Sequence, residues 1–565
     1  MKQKNILAFA ADFETTTDPD DVRVWAWGLA QVGFDNSFIY GNDIESFMQR
    51  LALMPSCRVY FHNLAFDGAF IFDFLLNYGW TFNEDMRHLR PWEFSATISD
   101  MNQVYAINLR FPHGVRIDIL DSLKIIPMTI ARMAKTFGLP MSKGDIDYTE
   151  HREVGHVITD EELDYLKRDV LILSHALDLM LRMGEVKMTS GSNALYDFKQ
   201  TVGGNKGFRR IFPIVDKSDD DFIRQAYRGG FTYANPKYVG QVLGEMSSWD
   251  VNSLYPSIMY GCHGEMMPWG YPEPFDGEPE PDDEFPLWIA QLMVEFKIKP
   301  GKIPSHQFRK SLEFLAKEYV LDSKGEQVVT LTNVDFELLC EQYDVNVLAW
   351  YGGFKFRASN EIFRPYIDKW MAIKIKAGKE GNGGMRQIAK LHLNSLYGKL
   401  ASRMEVIGRK PVLVNGAVHY KDLEPEERDP VYTAAAVFVT SYGRAYTIRF
   451  AQACGDRFVY SDTDSVKILG TEPPEGMHVD DYALGAWGHD GVYRDFKTLG
   501  AKAYICHEEG KEELTVHCSG LPDSCYPYVT MDNFVAGAEY PGKLYQHRVP
   551  GGIYFEEGTF KLHER

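Results

Sequence analysis

Apolar positions in this chain follow two rhythms: short continuous runs that read as buried strands, and runs spaced three and four residues apart that read as helices. Ile6 to Ala11 predicts a central strand that delivers Asp12-Phe13-Glu14 at its end. Arg58-Val59-Tyr60-Phe61 predicts a second strand, running into His62-Asn63-Leu64-Ala65-Phe66-Asp67-Gly68 and then an apolar helix from about Gly68 to Leu76. Thr159-Asp160-Glu161-Glu162 is a helix start, with Thr159 as the cap and Glu162 three residues on. That helix carries Tyr165 and Asp169 at i and i+4, on one face. Trp249-Asp250 ends a further strand, which Pro256 stops from running deeper into a sheet. Leu287 to Phe296 is also strand-like. Phe363 to Lys376 and Met385 to Leu400 have helical spacing and flank a loose tip, Lys379-Glu380-Gly381-Asn382-Gly383-Gly384, as an antiparallel pair. Two last apolar runs, Asp456 to Tyr460 and Val466 to Leu469, make Ser461 to Ser465 the turn of a β-hairpin. Asp462 and Asp464, two apart, are expected to point the same way.

A chain of 565 residues is too long for one core, so two or more domains are expected. Hydrophobic and charged shares of 45% and 25% are those of a soluble globular protein. The formal net charge of −19 excludes a protein that merely coats nucleic acid. It is unevenly spread: Lys355 to Lys410 holds thirteen Lys/Arg against four Asp/Glu, a local balance of +9, while Tyr271 to Phe285 holds seven acids and no base. A basic segment in an acidic chain implies one surface that faces a polyanion. The seven cysteines show no Cys-x-x-Cys spacing, which argues against a zinc site or a disulfide scaffold and suits a reducing compartment. Met1 to Ala11 resembles a leader only until Asp12 and Glu14 end the apolar run, so a buried strand is expected there. No stretch approaches the ~20 apolar residues of a membrane span.

Four carboxylates (Asp12, Glu14, Asp67 and Asp169) and Tyr165 could converge where strand ends meet one helix. Two cations held ~3.5–4 Å apart by such a cluster stabilise both the attacking and the leaving oxygen of a phosphodiester, and Tyr165 could orient the water. Taken singly, the same residues also read as turn, cap or exposed helix positions. Asp462 and Asp464, charged at neutral pH and mutually repelling, suit a hard cation shared with substrate phosphates. On the Met385 to Leu400 helix, Arg386, Lys390, Asn394 and Tyr397 form one stripe, cationic and aromatic rather than apolar. Such a stripe suits triphosphate oxygens and a stacked base. The tip before it lacks the Gly-Lys-Ser/Thr ending of a P-loop.

Motif order sharpens this reading. Asp12-Phe13-Glu14-Thr15-Thr16, then Phe61-His62-Asn63-Leu64-x-Phe66-Asp67, then Tyr165-x-x-x-Asp169 resemble the three exonuclease motifs of family B DNA polymerases. The resemblance implies a ribonuclease-H-like fold that trims single-stranded 3′ ends. In it Thr15, His62, Asn63 and Phe66 contact the DNA end, and Lys143 acts as an auxiliary catalytic lysine. Tyr227-Arg228-Gly229-Gly230 is similar to the Tyr-x-Gly-Gly that grips template DNA. Asp250-Val251-Asn252-Ser253-Leu254-Tyr255-Pro256 matches the family's motif A. By that likeness Asp250 and the Val251 carbonyl hold metal, Leu254 and Tyr255 hold the nucleotide, and the Tyr255 ring leaves no room for a 2′-hydroxyl. Ser253 falls among the DNA contacts. Lys390-x-x-x-Asn394-Ser395-x-Tyr397-Gly398 matches motif B, implying dNTP binding by Lys390, Asn394 and Tyr397, with Gly398 beside the template and Lys374 and Arg386 as further phosphate contacts. Thr440-x-x-Gly443-Arg444 and Lys502-x-Tyr504 resemble primer-binding motifs, and Tyr460 to Ser465 is motif C. There Asp464 shares metal with Asp250, while Asp462 is essential with its contact to metal left open.

The implied fold class is an α/β (α+β) multidomain chain: a 3′→5′ exonuclease domain at 1–190, then a right-hand polymerase. The expected palm is 191–262 and 428–530, the fingers 359–402 and the thumb 531–565. Insertions at 263–358, for terminal-protein and DNA contact, and at 403–427, for strand displacement, are those of the protein-primed phage branch. The resemblance further implies two Mg²⁺ per site (Mn²⁺ able to substitute), dNTPs, template/primer DNA, a single-stranded 3′ end, and a terminal protein whose hydroxyl primes synthesis. A monomer in the host-cell cytoplasm, off the membrane, is expected. Two rivals are a nuclease whose second half only binds DNA and a non-enzymatic genome-terminal binding protein. Primer extension with dNTPs separates both from a polymerase.

Overall fold

The structure is a computed structural model describing residues 7–148, 150–308, 310–311, 313–315 and 318–563. Ile6, the expected start of the first strand, lies outside the described residues.

The first third is built on an eight-stranded sheet. Its order is Ile39–Gly41, Val24–Gln31, Ala8–Thr15, Cys57–Phe61, Arg116–Asp121, Val104–Arg110, Glu93–Ile98, Thr81–Phe82. The three central strands, Ala8–Thr15, Cys57–Phe61 and Arg116–Asp121, run parallel. Alternation along Ala8–Thr15 divides the core: Ala8 and Ala10 pack with helix Asp160–Arg182, whereas Ala11 and Phe13 pack with helix Leu64–Asn77. Asp12 and Glu14 therefore continue the face that looks at helix Asp160–Arg182. The strand is longer than the sequence suggested. It keeps pairing with Val24–Gln31 through Asp12, Glu14 and Thr15, so these carboxylates stand within the strand and not beyond its end.

A second sheet of seven antiparallel strands forms the middle of the molecule: Thr515–Cys518, Ala503–Glu508, Trp487–Gly500, Met246–Val251, Ser465–Leu469, Phe458–Asp462, Thr232–Ala234. Helix Thr433–Ala453, buried along most of its length, packs against it. A four-stranded sheet between residues 267 and 359 carries helix Asn333–Gln342. Helices Arg364–Lys379 and Gly383–Leu400 form the expected antiparallel pair, with a tighter connection than expected because Gly383 and Gly384 already belong to the second helix. The insertion expected at 403–427 holds two small ladders, Glu405–Val406 with Glu426–Glu427 and Arg409–Val414 with Ala417–Asp422. A last hairpin, Glu539–Val549 with Gly552–Lys561, returns to the first third. There Phe555 stacks on Phe66 at 5.8 Å and Gly551 N donates to Asp73 Oδ1 at 3.0 Å.

One hydrophobic core runs from Ala8 and Ala10 through helix Asp160–Arg182 to Leu396 of the helical pair and Val437 of the central helix. Among the described residues no helix is long and apolar enough to cross a membrane. All seven cysteines are free thiols.

Candidate active sites

The first carboxylate cluster forms where the first sheet meets two helices. Helix Leu64–Asn77 begins four residues earlier than its apolar pattern suggested, with Asn63 in the left-handed conformation (φ 73°) at its N-cap. That turn places Asp67 in the first helical turn, buried, where the positive end of the helix dipole favours a carboxylate. The capping box forms as read from sequence: Thr159 N donates to Glu162 Oε2 at 2.9 Å and Glu162 N to Thr159 Oγ1 at 3.3 Å. Tyr165 and Asp169 then face the sheet, both buried. Lys143, in the irregular segment before the helix, places Nζ 3.1 Å from Asp169 Oδ2 and 5.6 Å from the Tyr165 ring centre.

Charge crowding is severe. Burial and then Asp169 push the Asp12 carboxyl up to about 7. Burial and then Asp12 hold Glu14 and Asp67 well above their ordinary values. Burial also raises Asp169, which Lys143 partly relieves. Burial disfavours the Lys143 ammonium as well, but Asp169, Tyr148 and Asp12 more than offset it. Asp67 Oδ1 and Asp169 Oδ1 are buried without a hydrogen-bond partner. Buried unpaired carboxylate oxygens are costly, and a hard divalent cation is the partner that suits them. Among the described residues no group of three His, Cys, Asp or Glu side chains is placed to hold a metal ion by itself. A pocket of about 430 Å³ opens onto Asp12, Asn63, Leu123, Met128, Lys143 and Asp169.

Asn63 has an exposed side chain at this pocket, while Phe66 is partly covered by Phe555. Thr15 is half-buried at a register shift of its strand. His62 differs from expectation: its Nδ1 lies 2.9 Å from Ser122 Oγ and its Nε2 2.7 Å from the Met128 carbonyl, so both nitrogens are taken by the protein. It forms part of the pocket wall. Two residues escaped the sequence reading. Asp121 is buried at a parallel strand end and accepts from the Asn63 and Leu123 amides at 3.0 and 2.9 Å. Tyr148 shares a 2.6 Å hydrogen bond with Tyr165. The rule that picked Asp12 at a strand end would have found Asp121; nothing in the pattern marks Tyr148.

The second cluster lies on the seven-stranded sheet. Asp250 pairs with Ser465 across the ladder, and Val251 N donates to the Asp464 carbonyl at 2.8 Å, so Asp250 and Asp464 are next-door neighbours. Burial and then Asp464 push the Asp250 carboxyl up to about 7; burial also raises Asp464. Asp462 and Asp464 do not share a strand face as expected. Asp462 ends its strand paired with Ser465, while Thr463 takes a positive φ (61°) and turns the chain before Asp464. Asp462 is held instead by Thr232 Oγ1 at 3.1 Å, Thr463 Oγ1 at 3.2 Å and the Lys502 ammonium. Asp490, on the neighbouring strand, is a further carboxylate whose charge reaches Asp250, and the sequence reading missed it.

Around this pair the sequence-predicted residues divide into two groups. Lys390, Asn394 and Gly398 are exposed along the open face of helix Gly383–Leu400, with Arg386 one turn earlier. The Tyr397 ring lies 4.2 Å from that of Tyr255. Lys374 Nζ donates to Ser253 Oγ at 3.0 Å, and both line one cleft. This cleft, about 930 Å³, is lined by Asn252, Ser253, Lys374, Arg386, Asp481 and Tyr482, the last two again unforeseen. Leu254 and Val251 have buried side chains, so only their backbone can serve a ligand. In the second group, Thr440 and Arg444 are 1% and 3% exposed. Thr440 Oγ1 donates to carbonyls of its own helix. Arg444 Nη1 donates to the Arg228 and Gly229 carbonyls at 2.8 Å each, while Nη2 pairs with Asp335 at 2.7 Å. Arg444 is thus a strut that holds the Tyr227-Arg228-Gly229-Gly230 loop, in which Tyr227 and Gly229 are exposed. Tyr504 likewise packs among Tyr460, Phe496 and His517, and Lys502 is engaged with Asp462.

Two carboxylate centres on separate sheets, one beneath a cationic helical pair, are the equipment of a template-copying nucleotidyltransferase. The chain belongs to the family described as DNA polymerase type B, organellar and viral, whose model matches residues 52–156 and 148–481, and it is a DNA-directed DNA polymerase. It is 40% identical over 579 residues to the DNA polymerase of Bacillus phage Nf, covering 98% of this chain and 99% of that one. With the DNA polymerase of Bacillus phage phi29 it shares 38% identity over 586 residues, covering 100% of both. The solved phi29 DNA polymerase in complex with primer-template DNA and incoming nucleotide superposes with a TM-score of 0.92 at 38% identity, over 99% of this chain and 100% of that one.

Proposed function

We propose that the Asp250–Asp464 centre extends a DNA primer with dNTPs and that the Asp12–Glu14–Asp67–Asp169 centre removes nucleotides from a single-stranded 3′ end. The observation that carries this reading is the crowding of carboxylates at two places in one chain, with buried oxygens left unpartnered at the first and half-buried aspartates at the second. Divalent ions, Mg²⁺ by the hardness of the oxygen ligands, would be held by Asp250, Asp464 and the Val251 carbonyl in one centre and by the four carboxylates in the other. When bound they supply charge neutralisation for the attacking and leaving oxygens.

The chain's own residues do the rest. Lys390, Arg386 and Lys374 draw the triphosphate against the helical pair, each cation meeting phosphate oxygen. Tyr255, wedged against Tyr397 and the Gly443 backbone, holds a ring where a ribose 2′-hydroxyl would stand. In the trimming centre Tyr165, tied to Tyr148, orients water toward the phosphodiester, and Lys143 offsets the negative charge around Asp169. Asn63 and Leu123 line the path of the frayed 3′ end.

We further infer, from the 38–40% identity to phage polymerases of the phi29 type, that a terminal protein supplies the first hydroxyl, and that the enzyme works as a monomer in the host cytoplasm. The test is incubation of the purified chain with Mg²⁺, a labelled primer-template and dNTPs, then with dNTPs withheld. Extension in the first case and 3′ shortening in the second are expected; no shortening would overturn the second centre. Transfer of labelled dNMP to a protein from the same genome tests priming, and its absence with every candidate would refute it.

A further inference from the structure

The floor of the synthetic centre contains a lysine that none of these roles uses. Lys467 lies opposite Ser248 on one neighbouring strand and opposite Tyr460 on the other. Ser248 precedes Asp250 by two residues and Tyr460 precedes Asp462 by two, so Lys467 stands on the carboxylate face, one rung below both. It is 3% exposed. Its Nζ lies 3.2 Å from Ser248 Oγ, and 5.6 and 5.0 Å from the ring centres of Tyr493 and Tyr504. Burial works against the ammonium, while Asp490, Cys506, Asp250 and Asp462 pull the other way. Burying an ammonium is expensive, and a sheet floor of this kind is ordinarily filled by apolar side chains. Aromatic faces on one side and carboxylates on the other are what keep a buried cation charged.

We propose that Lys467 is a positioning residue of the polymerisation site: a fixed positive charge beneath Asp250 and Asp462 that partly neutralises them, so that divalent ions are held loosely enough to exchange at each nucleotide addition. The inference rests on the metal reading given above. Lys502 pairs with Asp462, and Lys390 offsets Asp250 and Asp464; without Lys467 the crowding of Asp250, Asp464 and Asp490 would lose its relief from below, and an ion drawn into it would leave more slowly. Pyrophosphate departs as a metal-binding anion, so slow exchange would brake every cycle. Lys467 acts through the carboxylates and touches neither nucleotide nor DNA.

For Mn²⁺ binding the test uses the full chain carrying Asp12→Ala and Asp67→Ala, which silences the trimming centre, bound to primer-template whose primer ends in a dideoxynucleotide. Mn²⁺ binding is followed by electron paramagnetic resonance, and extension on an ordinary primer is followed across Mg²⁺ concentration. Lys467→Met, and Lys467→Gln as a second neutral variant that keeps a polar tip for Ser248, are expected to bind Mn²⁺ about tenfold more tightly. Their half-saturating Mg²⁺ for extension falls in parallel, and so does the extension rate at saturation. Lys467→Arg restores the wild-type midpoint, and adding Asp250→Ala to Lys467→Met abolishes the gain in affinity. The Mg²⁺ midpoint of 3′ shortening stays where it is. An unchanged Mn²⁺ midpoint in the neutral variants, a gain that survives Asp250→Ala, or an arginine variant no better than methionine would each overturn the proposal. A wild-type enzyme that needs no divalent ion would instead overturn the metal reading beneath it.

Discussion

Gly230 offers a direct test of how tightly the synthetic centre is assembled. A Cβ at this position would sit 2.7 Å from Thr463 Cγ2 and 2.9 Å from Tyr255 Oη. Carbon atoms in contact prefer ~3.5–4.0 Å, so something must retreat by roughly 1 Å. Neither neighbour can do so cheaply. Thr463 is pinned in its turn, its amide donating to the Phe231 carbonyl at 2.6 Å and its carbonyl accepting from Thr447 Oγ1 at 2.8 Å. Tyr255 is backed by the Tyr397 ring at 4.2 Å and by Gly443, where a Cβ would already be 3.1 Å from the tyrosine ring. Overpacking of this kind costs about 1–3 kcal/mol, and because Thr463 stands between Asp462 and Asp464 the displacement falls on the reacting groups. A misplacement near 1 Å costs on the order of 10²-fold in rate. Gly230→Ala is therefore expected to slow single-nucleotide extension about 10²-fold at saturating dNTP while 3′ shortening continues at the wild-type rate. Gly229→Ala, whose methyl meets nothing within 4 Å, is expected to be far milder. Rapid-quench extension and gel-resolved shortening on the same preparations decide it. Wild-type extension by Gly230→Ala, or equal damage from both substitutions, would refute the argument.

The remaining predictions are shorter. Replacing Asp12 and Asp67 together with Ala should abolish 3′ shortening and leave primer extension largely intact; equal loss of both activities would contradict two separate centres. Tyr255→Val should admit ribonucleotides, read as rNTP incorporation opposite a defined template base, and unchanged sugar selectivity would show that another residue excludes the 2′-hydroxyl. Asp335→Ala leaves Arg444 buried without its carboxylate and should cost about 3–5 kcal/mol in chemical denaturation; a loss below 1 kcal/mol, roughly the level of an exposed pair, would mean the strut is dispensable. Asp12 and Asp250, both held up to about 7, keep their protons better folded than unfolded. Their contribution to stability is therefore present below the unfolded carboxylate value and lost as pH rises toward 7. Chelator-treated protein should melt lower at pH 7.5 than at pH 5.5 on this account (roughly the span between those values), with Mg²⁺ restoring more at the higher pH. Equal Mg²⁺ stabilisation at both would contradict it.

Much of this architecture was legible in the residues because the informative signals were local. The capping box before Asp160, the run Cys57–Phe61 and the two helices around Glu380 are each decided within a turn or a strand length, and each formed. What the sequence misplaced depended on partners far away in the chain. The Ala8–Thr15 strand continues past Ala11 because Val24–Gln31 supplies its hydrogen bonds. Asp462 and Asp464 part company because one positive-φ residue, Thr463, breaks the alternation between them. Arg444 and His62 were singled out by motif, and the pattern gave no sign that a buried Asp335, a carbonyl of Met128 and a hydroxyl of Ser122 engage them. Lys467 and Asp490 were invisible because neither lies in a motif; only strand register brings them under Asp250.

The unbroken core from Ala10 to Leu396 and Val437 has a bearing on how such enzymes can be rebuilt. Cutting after the Asp160–Arg182 helix would strip that helix of its contacts with helix Gly383–Leu400, and a grafted replacement from a distant relative would have to match that seam as well as its own sheet. Swapping the editing half like an interchangeable cartridge should therefore fail unless the donor brings along the helical pair it leans on.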